Sequence, residues 1–273
     1  MTRVTKPSWA AFHVPFEHGA WWAFASTLAG AWGLALFRDA DSWACLGTGV
    51  ALAAGFVLQD WAQALIGAVL RRRSQALSQW RAPQGWALAA LALAGLGLQL
   101  ARVAPAERGA WLCLWLGLAL AAGLGLLGRV LQSGRGRRSL AFTALLLAAP
   151  ALPLGILGLG FGARAWEFWA WPLAYYPAAT LAAQSYIRGF PERARWAGPA
   201  MAAALAVAAL VVGAWMAAVL LALNAALLWR SIQRRWTLQP QGLPAGGAIR
   251  AFGRTQAAFG VGMTLVWVGA FAR

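Results

Sequence analysis

The sequence predicts an all-α membrane protein, folded as a single integral membrane domain of about nine transmembrane helices over residues 1–273. Three observations lead to this prediction. Hydrophobic residues make up 61% of the chain and charged residues only 11%, whereas a soluble domain carries about 25% charged residues. Apolar runs of spanning length recur along the chain. The basic residues lie in short clusters between those runs, which is typical of polytopic membrane proteins.

Nine apolar segments approach the roughly 20 residues that a helix needs to cross a bilayer. The first follows Arg3 and Lys6, and we interpret it as a membrane helix rather than a signal peptide, because it leads into further spans. The run from Ala197 to Trp229 is too long for one span, and Gly213 is the natural turn of a hairpin. The predicted spans are 19–37, 43–70, 85–101, 109–128, 139–162, 166–187, 197–212, 214–229 and 250–271.

The distribution of basic residues predicts the orientation of these helices. With the N-terminus in the cytoplasm, 18 of the 23 Lys and Arg residues fall in cytoplasmic segments and five in outer ones, as the positive-inside rule requires. A model with eight spans would move the arginines of 230–254 to the outer face. We therefore expect a multi-pass protein of the bacterial cytoplasmic (inner) membrane with its C-terminus outside.

Charge and cysteine content exclude several classes of function. The net charge of +16 is spread over short clusters, so no region is long enough to be a nucleic-acid-binding domain. Cys45 and Cys113 are too few for a disulfide framework or a zinc site, and we expect them to pack as small apolar residues between helices. Neither a metal site nor a cofactor is predicted, and membrane lipids are the expected partners.

Polar residues inside predicted spans are candidate ligand contacts, because burying them in a membrane is costly. In the second span, Asp60 and Gln63 are three residues apart and therefore lie on the same side of the helix. Arg71 follows three turns after Asp60, near the membrane surface. The alternative is a structural pair between Asp60 and an arginine of a neighbouring helix.

The sixth span carries a polar ridge that leads towards the cytoplasmic surface. Four of its polar residues recur every four positions and therefore share one face: Tyr176, Thr180, Gln184 and Arg188. We expect this ridge to line a ligand cavity that opens to the cytoplasm, with a structural polar seam as the alternative.

The eighth and ninth spans add further polar residues. Asn224 lies in the eighth span, and Arg250, Arg254 and Gln256 open the ninth. If these helices converge, the cytoplasmic mouth is basic and suits phosphate, diphosphate or carboxylate groups. Positive-inside charge that needs no ligand, and anionic lipid headgroups, are the alternatives.

The segment that opens the first span is the most distinctive in the sequence. Glu17 suits the positive end of a helix dipole, and Glu17 and His18 are candidate ligand-binding residues, with local capping as the alternative. The run Glu17-His18-Gly19-Ala20-Trp21, after Pro15, resembles the signature of the YwiC-like family of bacterial integral membrane proteins. Further agreement lies in Arg71-Arg72-Arg73 and in Tyr186-Ile187-Arg188. The resemblance covers the whole chain and implies no particular activity.

The predicted topology is also similar to that of the UbiA-type prenyltransferases, which implies a UbiA-like helix bundle. Those enzymes hold Mg²⁺-diphosphate with aspartate-rich motifs after their second and sixth helices. At the matching places this chain offers Asp60 and then Arg81-Ala82-Pro83, and later Arg188 to Arg195 with only Glu192. Because Mg²⁺ needs oxygen ligands, usually carboxylates, the likeness extends to the fold and not to the metal-assisted chemistry.

These observations predict a membrane protein that binds an amphipathic anionic ligand, such as an isoprenoid diphosphate or a lipid, in a cytoplasm-facing cavity. Arg71 and Arg188 would contact the anion, and Asp60 and Gln184 would orient them. A transporter for a small anion or metabolite is one alternative, and a non-catalytic assembly or scaffold protein is another.

Overall fold

The computed structural model describes residues 18–70, 83–131, 145–188, 195–238 and 246–272. These residues form nine α-helices and no strand, which confirms the all-α prediction. The helices are α1 (His18–Phe37), α2 (Ser42–Leu70), α3 (Pro83–Arg102), α4 (Arg108–Leu131), α5 (Ala151–Leu159), α6 (Ala163–Arg188), α7 (Ala197–Val211), α8 (Trp215–Leu238) and α9 (Gly246–Ala272).

Five of these helices are long and apolar enough to cross a membrane, by length and composition. The apolar stretches are Ser42–Gln59, Pro83–Arg102, Pro105–Gly128, Trp215–Trp236 and Gly247–Ala272, the third of which includes the 3-10 turn Pro105–Glu107 before α4. Three shorter apolar helical stretches are Trp21–Phe37, Leu145–Leu159 and Ala197–Val211. The helices are those expected of a helical membrane bundle, while the nine spans and their orientation stay predictions.

Most helix boundaries lie within four residues of the predicted spans, and two helices differ more. The eighth helix continues beyond Trp229 to Leu238. Residues 230–238 contain no Gly or Pro, and their arginines are good helix formers. A prediction from hydropathy alone ends the span at the first arginine, although the helix itself can extend beyond the apolar layer. In the fifth span, a helical turn at 145–148 is separated from α5 by a break at Pro150, as expected of proline.

The predicted hairpin at Gly213 is confirmed. Gly213 has a φ of +78°, a left-handed conformation that favours glycine. Its N–H donates to the carbonyl oxygen of Leu210 at 3.0 Å, and the N–H of Ala214 donates to that of Ala209 at 2.8 Å. This pair of bonds is the Schellman motif, and it ends α7 so that α8 can begin at Trp215.

The chain divides into two compact units. Unit 1 comprises Met1–His18 and Asp39–Phe142, and its described helices are α2, α3 and α4. Unit 2 comprises Gly19–Arg38 and Thr143–Arg273, and it contains α1 and α5 to α9. Each unit is described below by itself.

In unit 1, α2 and α3 pack with their backbones in direct contact. A Cβ atom at Gly47 would lie 2.5 Å from the carbonyl oxygen of Gly95, and one at Gly95 would lie 2.6 Å from that of Gly47. Small residues allow such close approach of membrane helices. The third helix of the unit, α4, is joined to α3 by the indole N–H of Trp115, which donates to the buried Gln99 Oε1 at 2.7 Å.

In unit 2, α6 holds the other helices together. Its contacts are Tyr176 with Ala23 of α1, Phe168 with Gly155 of α5, Ala182 with Gly198 of α7, and Phe168 with Trp267 of α9. A Cβ atom at Gly198 would lie 2.6 Å from the backbone nitrogen of Ala182. The start of α7 therefore lies directly against α6, which positions the residues that precede α7.

Candidate functional site

The structure places the predicted site residues in two separate units. Asp60 and Gln63 lie in α2 of unit 1, whereas the ridge from Tyr176 to Arg188 lies in α6 of unit 2. Glu17 and Arg71 lie outside the described residues, and the same holds for the side chains of His18, Asp60, Gln184 and Arg188. The predicted ligand cavity that opens to the cytoplasm stays a prediction.

The polar ridge of α6 lies on one continuous helix. Pro172 and Pro177 are inside α6 and do not interrupt it, so the positions of Tyr176, Thr180, Gln184 and Arg188 share one face. At the end of the ridge that is farthest from Arg188, the buried Tyr176 hydroxyl donates to the carbonyl oxygen of Ala23 at 2.9 Å. It also shares a hydrogen bond with the Thr27 hydroxyl. This part of the ridge therefore joins α6 to α1.

The end of α6, the starts of α7 and α9 and the second half of α8 meet in unit 2. Tyr186 of α6 stacks on Phe252 of α9 with ring centroids 4.3 Å apart, and Trp196, just before α7, stacks on Trp229 of α8 at 4.2 Å. We call this part of the molecule the basic end of unit 2. In the sequence, the last residue of α6, the segment that joins α6 to α7, the second half of α8 and the start of α9 together carry one acid, Glu192, and eight arginines: Arg188, Arg193, Arg195, Arg230, Arg234, Arg235, Arg250 and Arg254.

Arg235 differs from the other arginines of α8 because it is buried. Its exposed fraction is 6%, whereas Arg230 and Arg234 are exposed. Arg235 continues the inward stripe of α8, after the fully buried Leu228 and Ile232. Burying a charged side chain is costly unless it meets a partner, so Arg235 is a candidate functional residue.

Two guanidinium groups lie next to one indole ring at this end. The Cζ atom of Arg195 is 4.4 Å from the ring centroid of Trp236, and that of Arg235 is 5.2 Å from it. Both distances are within the roughly 6 Å of a cation–π interaction. We call Arg195, Arg235 and Trp236 the arginine–tryptophan cluster. Because both cations approach the same ring, their positive charges are concentrated in one place.

The main chain of Arg195 is held in place by contacts with α6. The buried Ser185 hydroxyl donates to the main-chain carbonyl oxygen of Arg195 at 2.9 Å, and Gly198 holds the first turn of α7 against Ala182. Arg195 is therefore anchored to the end of α6, at which Arg188 lies. The cluster and the last position of the predicted ridge belong to the same end of unit 2.

The arrangement suits the binding of an anion. A guanidinium group that stacks on an aromatic ring keeps its N–H groups in its own plane, where they can donate to oxygen atoms in pairs. The N-terminus of α7 begins directly after Arg195 and Trp196, and the positive end of a helix dipole also favours an anion.

The site prediction from the sequence contains neither Arg195 nor Arg235. Helical spacing offered a signal for Arg235, since it follows Asn224 by 11 residues, or about three turns. It was missed because the predicted span ended at Trp229. Arg195 carried no signal, because its approach to Trp236 joins two residues that are distant in sequence.

No group of three or more His, Cys, Asp or Glu side chains that could hold a metal ion occurs in the part of the chain that the structure describes. Cys45 and Cys113 are both free cysteines, Cys45 buried and Cys113 exposed. No protein-family model matches the chain, and no curated protein or solved structure is similar to it.

Proposed function

We propose that this chain is a YwiC-like protein of the bacterial cytoplasmic membrane that binds an amphipathic anionic ligand, an isoprenoid diphosphate or a lipid, at the basic end of unit 2. In this proposal the chain crosses the membrane nine times and its basic end faces the cytoplasm. Arg195 and Arg235 contact the anionic group, together with the sequence-predicted Arg188.

The observation that carries the proposal is the burial of Arg235. The positive-inside rule explains arginines at a membrane surface, and exposed residues such as Arg230 and Arg234 satisfy it. It does not explain why the next residue, with the same charge, points inwards. Buried charges are kept where they meet an opposite charge or a ligand.

Charge balance supports an anion as the ligand. The sequence segments that form this end carry eight arginines and one carboxylate, that of Glu192. This excess of positive charge favours an anionic ligand. Two guanidinium groups at one ring repel each other, and an anion that contacts both would offset this repulsion.

The surroundings of the cluster suit a ligand with an apolar part. Along the inward stripe of α8, Arg235 is preceded by Ile232, Leu228 and Leu221, which are all fully buried or nearly so. Trp229, on another face of the same turns, is half exposed. The inward stripe is occupied by the protein's own packing, so a ligand with an anionic head at Arg235 would extend its apolar part over the exposed face of α8 that carries Trp229.

The test compares Arg235→Gln with Arg234→Gln, in which the same charge is removed from the exposed neighbour. Native mass spectrometry of the purified protein, with added phosphatidylglycerol or farnesyl diphosphate as probes, measures the fraction of protein that retains each probe. We expect Arg235→Gln to weaken retention about tenfold or more, because a hydrogen bond to a charged group contributes roughly 1.5–3 kcal/mol. Arg234→Gln should retain both probes.

Arg195→Gln and Arg188→Gln complete the series. We expect both to weaken retention, Arg195→Gln through loss of a guanidinium group in the cluster and Arg188→Gln through loss of the predicted contact at the end of α6. Equal retention by the wild type and by Arg235→Gln would refute the proposal. Equal losses in Arg234→Gln and Arg235→Gln would show that only bulk surface charge matters.

A further inference from the structure

A second polar feature lies inside unit 2, near the middle of α8 and α9. Asn224 of α8 is fully buried, on the same inward stripe as Leu221 and Leu228. It lies nine residues after Trp215, or about 13 Å along the helix axis. From α9, the Nε2 atom of Gln256 donates to Asn224 Oδ1 at 3.3 Å. An amide pair thus joins the two helices within their apolar stretches.

Each amide has one more polar atom that remains unsatisfied. Asn224 Nδ2 and Gln256 Oε1 are both buried, and neither has a hydrogen-bond partner among the described residues. Asn224 Nδ2 is a donor, and Gln256 Oε1 is an acceptor. Buried polar atoms in proteins almost always have partners, and in a membrane no bulk water can supply them.

We propose that an O–H group binds at this amide pair, accepting a hydrogen bond from Asn224 Nδ2 and donating one to Gln256 Oε1. A hydroxyl both accepts and donates, so a single group satisfies both amides. A cation would satisfy only the oxygen, and an anion or a ketone only the nitrogen. The O–H group belongs to an alcohol dissolved in the membrane or to a bound water molecule.

The surface of α9 leaves space through which such a group can reach the amide pair. Gly260 lies one turn after Gln256 and is half-buried, and a Cβ atom placed on it would meet nothing within 4 Å. Gly253, three residues before Gln256, is exposed and equally unobstructed. At these spacings both glycines share a face with Gln256. They leave open space beside the amide pair on the side of the helix that is partly exposed.

The first experiment asks whether the amides are satisfied in the native protein. The double variant Asn224→Leu/Gln256→Met replaces both amides by apolar side chains of similar size. If an O–H group binds there, the variant loses its hydrogen bonds and its thermal midpoint falls below that of the wild type. If the two atoms have no partner, their removal leaves the midpoint unchanged or raises it. Thr255→Val, which removes an exposed hydroxyl bonded to Ala251 on the same turn, is the control.

The second experiment identifies the source of the O–H group. The protein is placed in nanodiscs, and 1-dodecanol or its methyl ether, which cannot donate a hydrogen bond, is added. An alcohol site predicts that dodecanol raises the midpoint of the wild type by about 2–4 °C. The ether and the double variant should show no such rise. Gly260→Leu, which fills the open space beside Gln256, should abolish the effect of dodecanol.

A water site predicts a different result. Dodecanol then has no effect, while the side-chain amide protons of Asn224 show an NMR cross-peak to a bound water that is absent from the double variant. Two results would overturn the inference: a double variant that melts at or above the midpoint of the wild type, or Asn224 amide protons that contact neither water nor alcohol. Both are separate from retention of anions at Arg235, so the two proposals succeed or fail independently.

Discussion

The hydroxyl of Ser185 donates a hydrogen bond of 2.9 Å to the main-chain carbonyl oxygen of Arg195, across the connection between α6 and α7. Ser185 is fully buried, so its hydroxyl is shielded from competing water. It ties the residue before α7 to the last turn of α6. The guanidinium group of Arg195 can then reach Trp236 of α8, which links three helices at the basic end of unit 2.

Gly198→Ala should destabilise unit 2. The added Cβ atom would lie 2.6 Å from the backbone nitrogen of Ala182 and 2.8 Å from its Cα, and a backbone atom cannot move aside as a side chain can. Overpacking of this kind costs about 1–3 kcal/mol, which lowers the thermal midpoint by several degrees. Because α7 must move, retention of the anionic probes at Arg195 should also fall.

Gly262→Ala is the matched control for this substitution. A Cβ atom at Gly262 would meet nothing within 4 Å, and alanine is the better helix former by about 1 kcal/mol. The midpoint of this variant should be unchanged or higher. A Gly198→Ala variant that melts like the wild type would contradict the close contact between α6 and α7.

Tyr176→Phe tests which end of the α6 ridge serves a ligand. The Tyr176 hydroxyl bonds to Ala23 and Thr27 of α1, so its removal should cost about 1 kcal/mol of stability. Tyr175→Phe is the control, since the Tyr175 hydroxyl makes no hydrogen bond to the residues that the structure describes and the ring remains in place. Thermal unfolding and probe retention should be measured on the same samples.

The two measurements separate the two interpretations of this ridge. A lower midpoint with unchanged retention indicates a structural seam at Tyr176, with ligand contacts confined to the Arg188 end. Reduced retention with an unchanged midpoint would support the sequence prediction that Tyr176 contacts the ligand.

Asp41 should titrate at unusually low pH. Its carboxylate accepts hydrogen bonds from the side chain of Arg102, at 2.6 Å, and from the N–H of Ala44, at 2.8 Å. These contacts lower its pKa from 3.8 to about 2. Because the folded pKa is depressed, the stabilisation is fully present above about pH 4 and is lost as the pH falls through about 2.

The measurement is a carboxyl-carbon NMR titration of aspartate-labelled protein, which is practical because the sequence contains only three Asp residues. Arg102→Gln should raise the pKa of Asp41 and leave it below 3.8, since the bond to Ala44 remains. Arg108→Gln, a change at an exposed neighbouring arginine, should leave this pKa unaltered. Identical titrations of Asp41 in the wild type and in Arg102→Gln would contradict the ion pair.

Helix formation could be predicted from local sequence, and its boundaries only in part. The turn at Gly213 was predictable because glycine is the residue that adopts a left-handed conformation at the end of a helix. The extension of α8 to Leu238 was not, because hydropathy reports where lipid ends and hydrogen bonding decides where the helix ends.

The candidate site was predictable in its chemistry and only partly in its residues. The sequence indicated a basic, arginine-rich end, and it singled out the α6 ridge by its four-residue spacing. It did not distinguish Arg235 from Arg234, because the two residues are adjacent arginines in the same segment. Only packing assigns one to the inward stripe and the other to the surface.

The sequence by itself determined an all-α chain of apolar helices with concentrated positive charge, because hydropathy and charge are properties of each residue in its own segment. Tertiary structure alone decided which arginine is buried, which indole two guanidinium groups share, and which amides meet inside unit 2. Those relationships join Arg195 with Trp236 and Asn224 with Gln256, residues that lie more than 30 positions apart. Their contact depends on how helices pack, and no local periodicity encodes it.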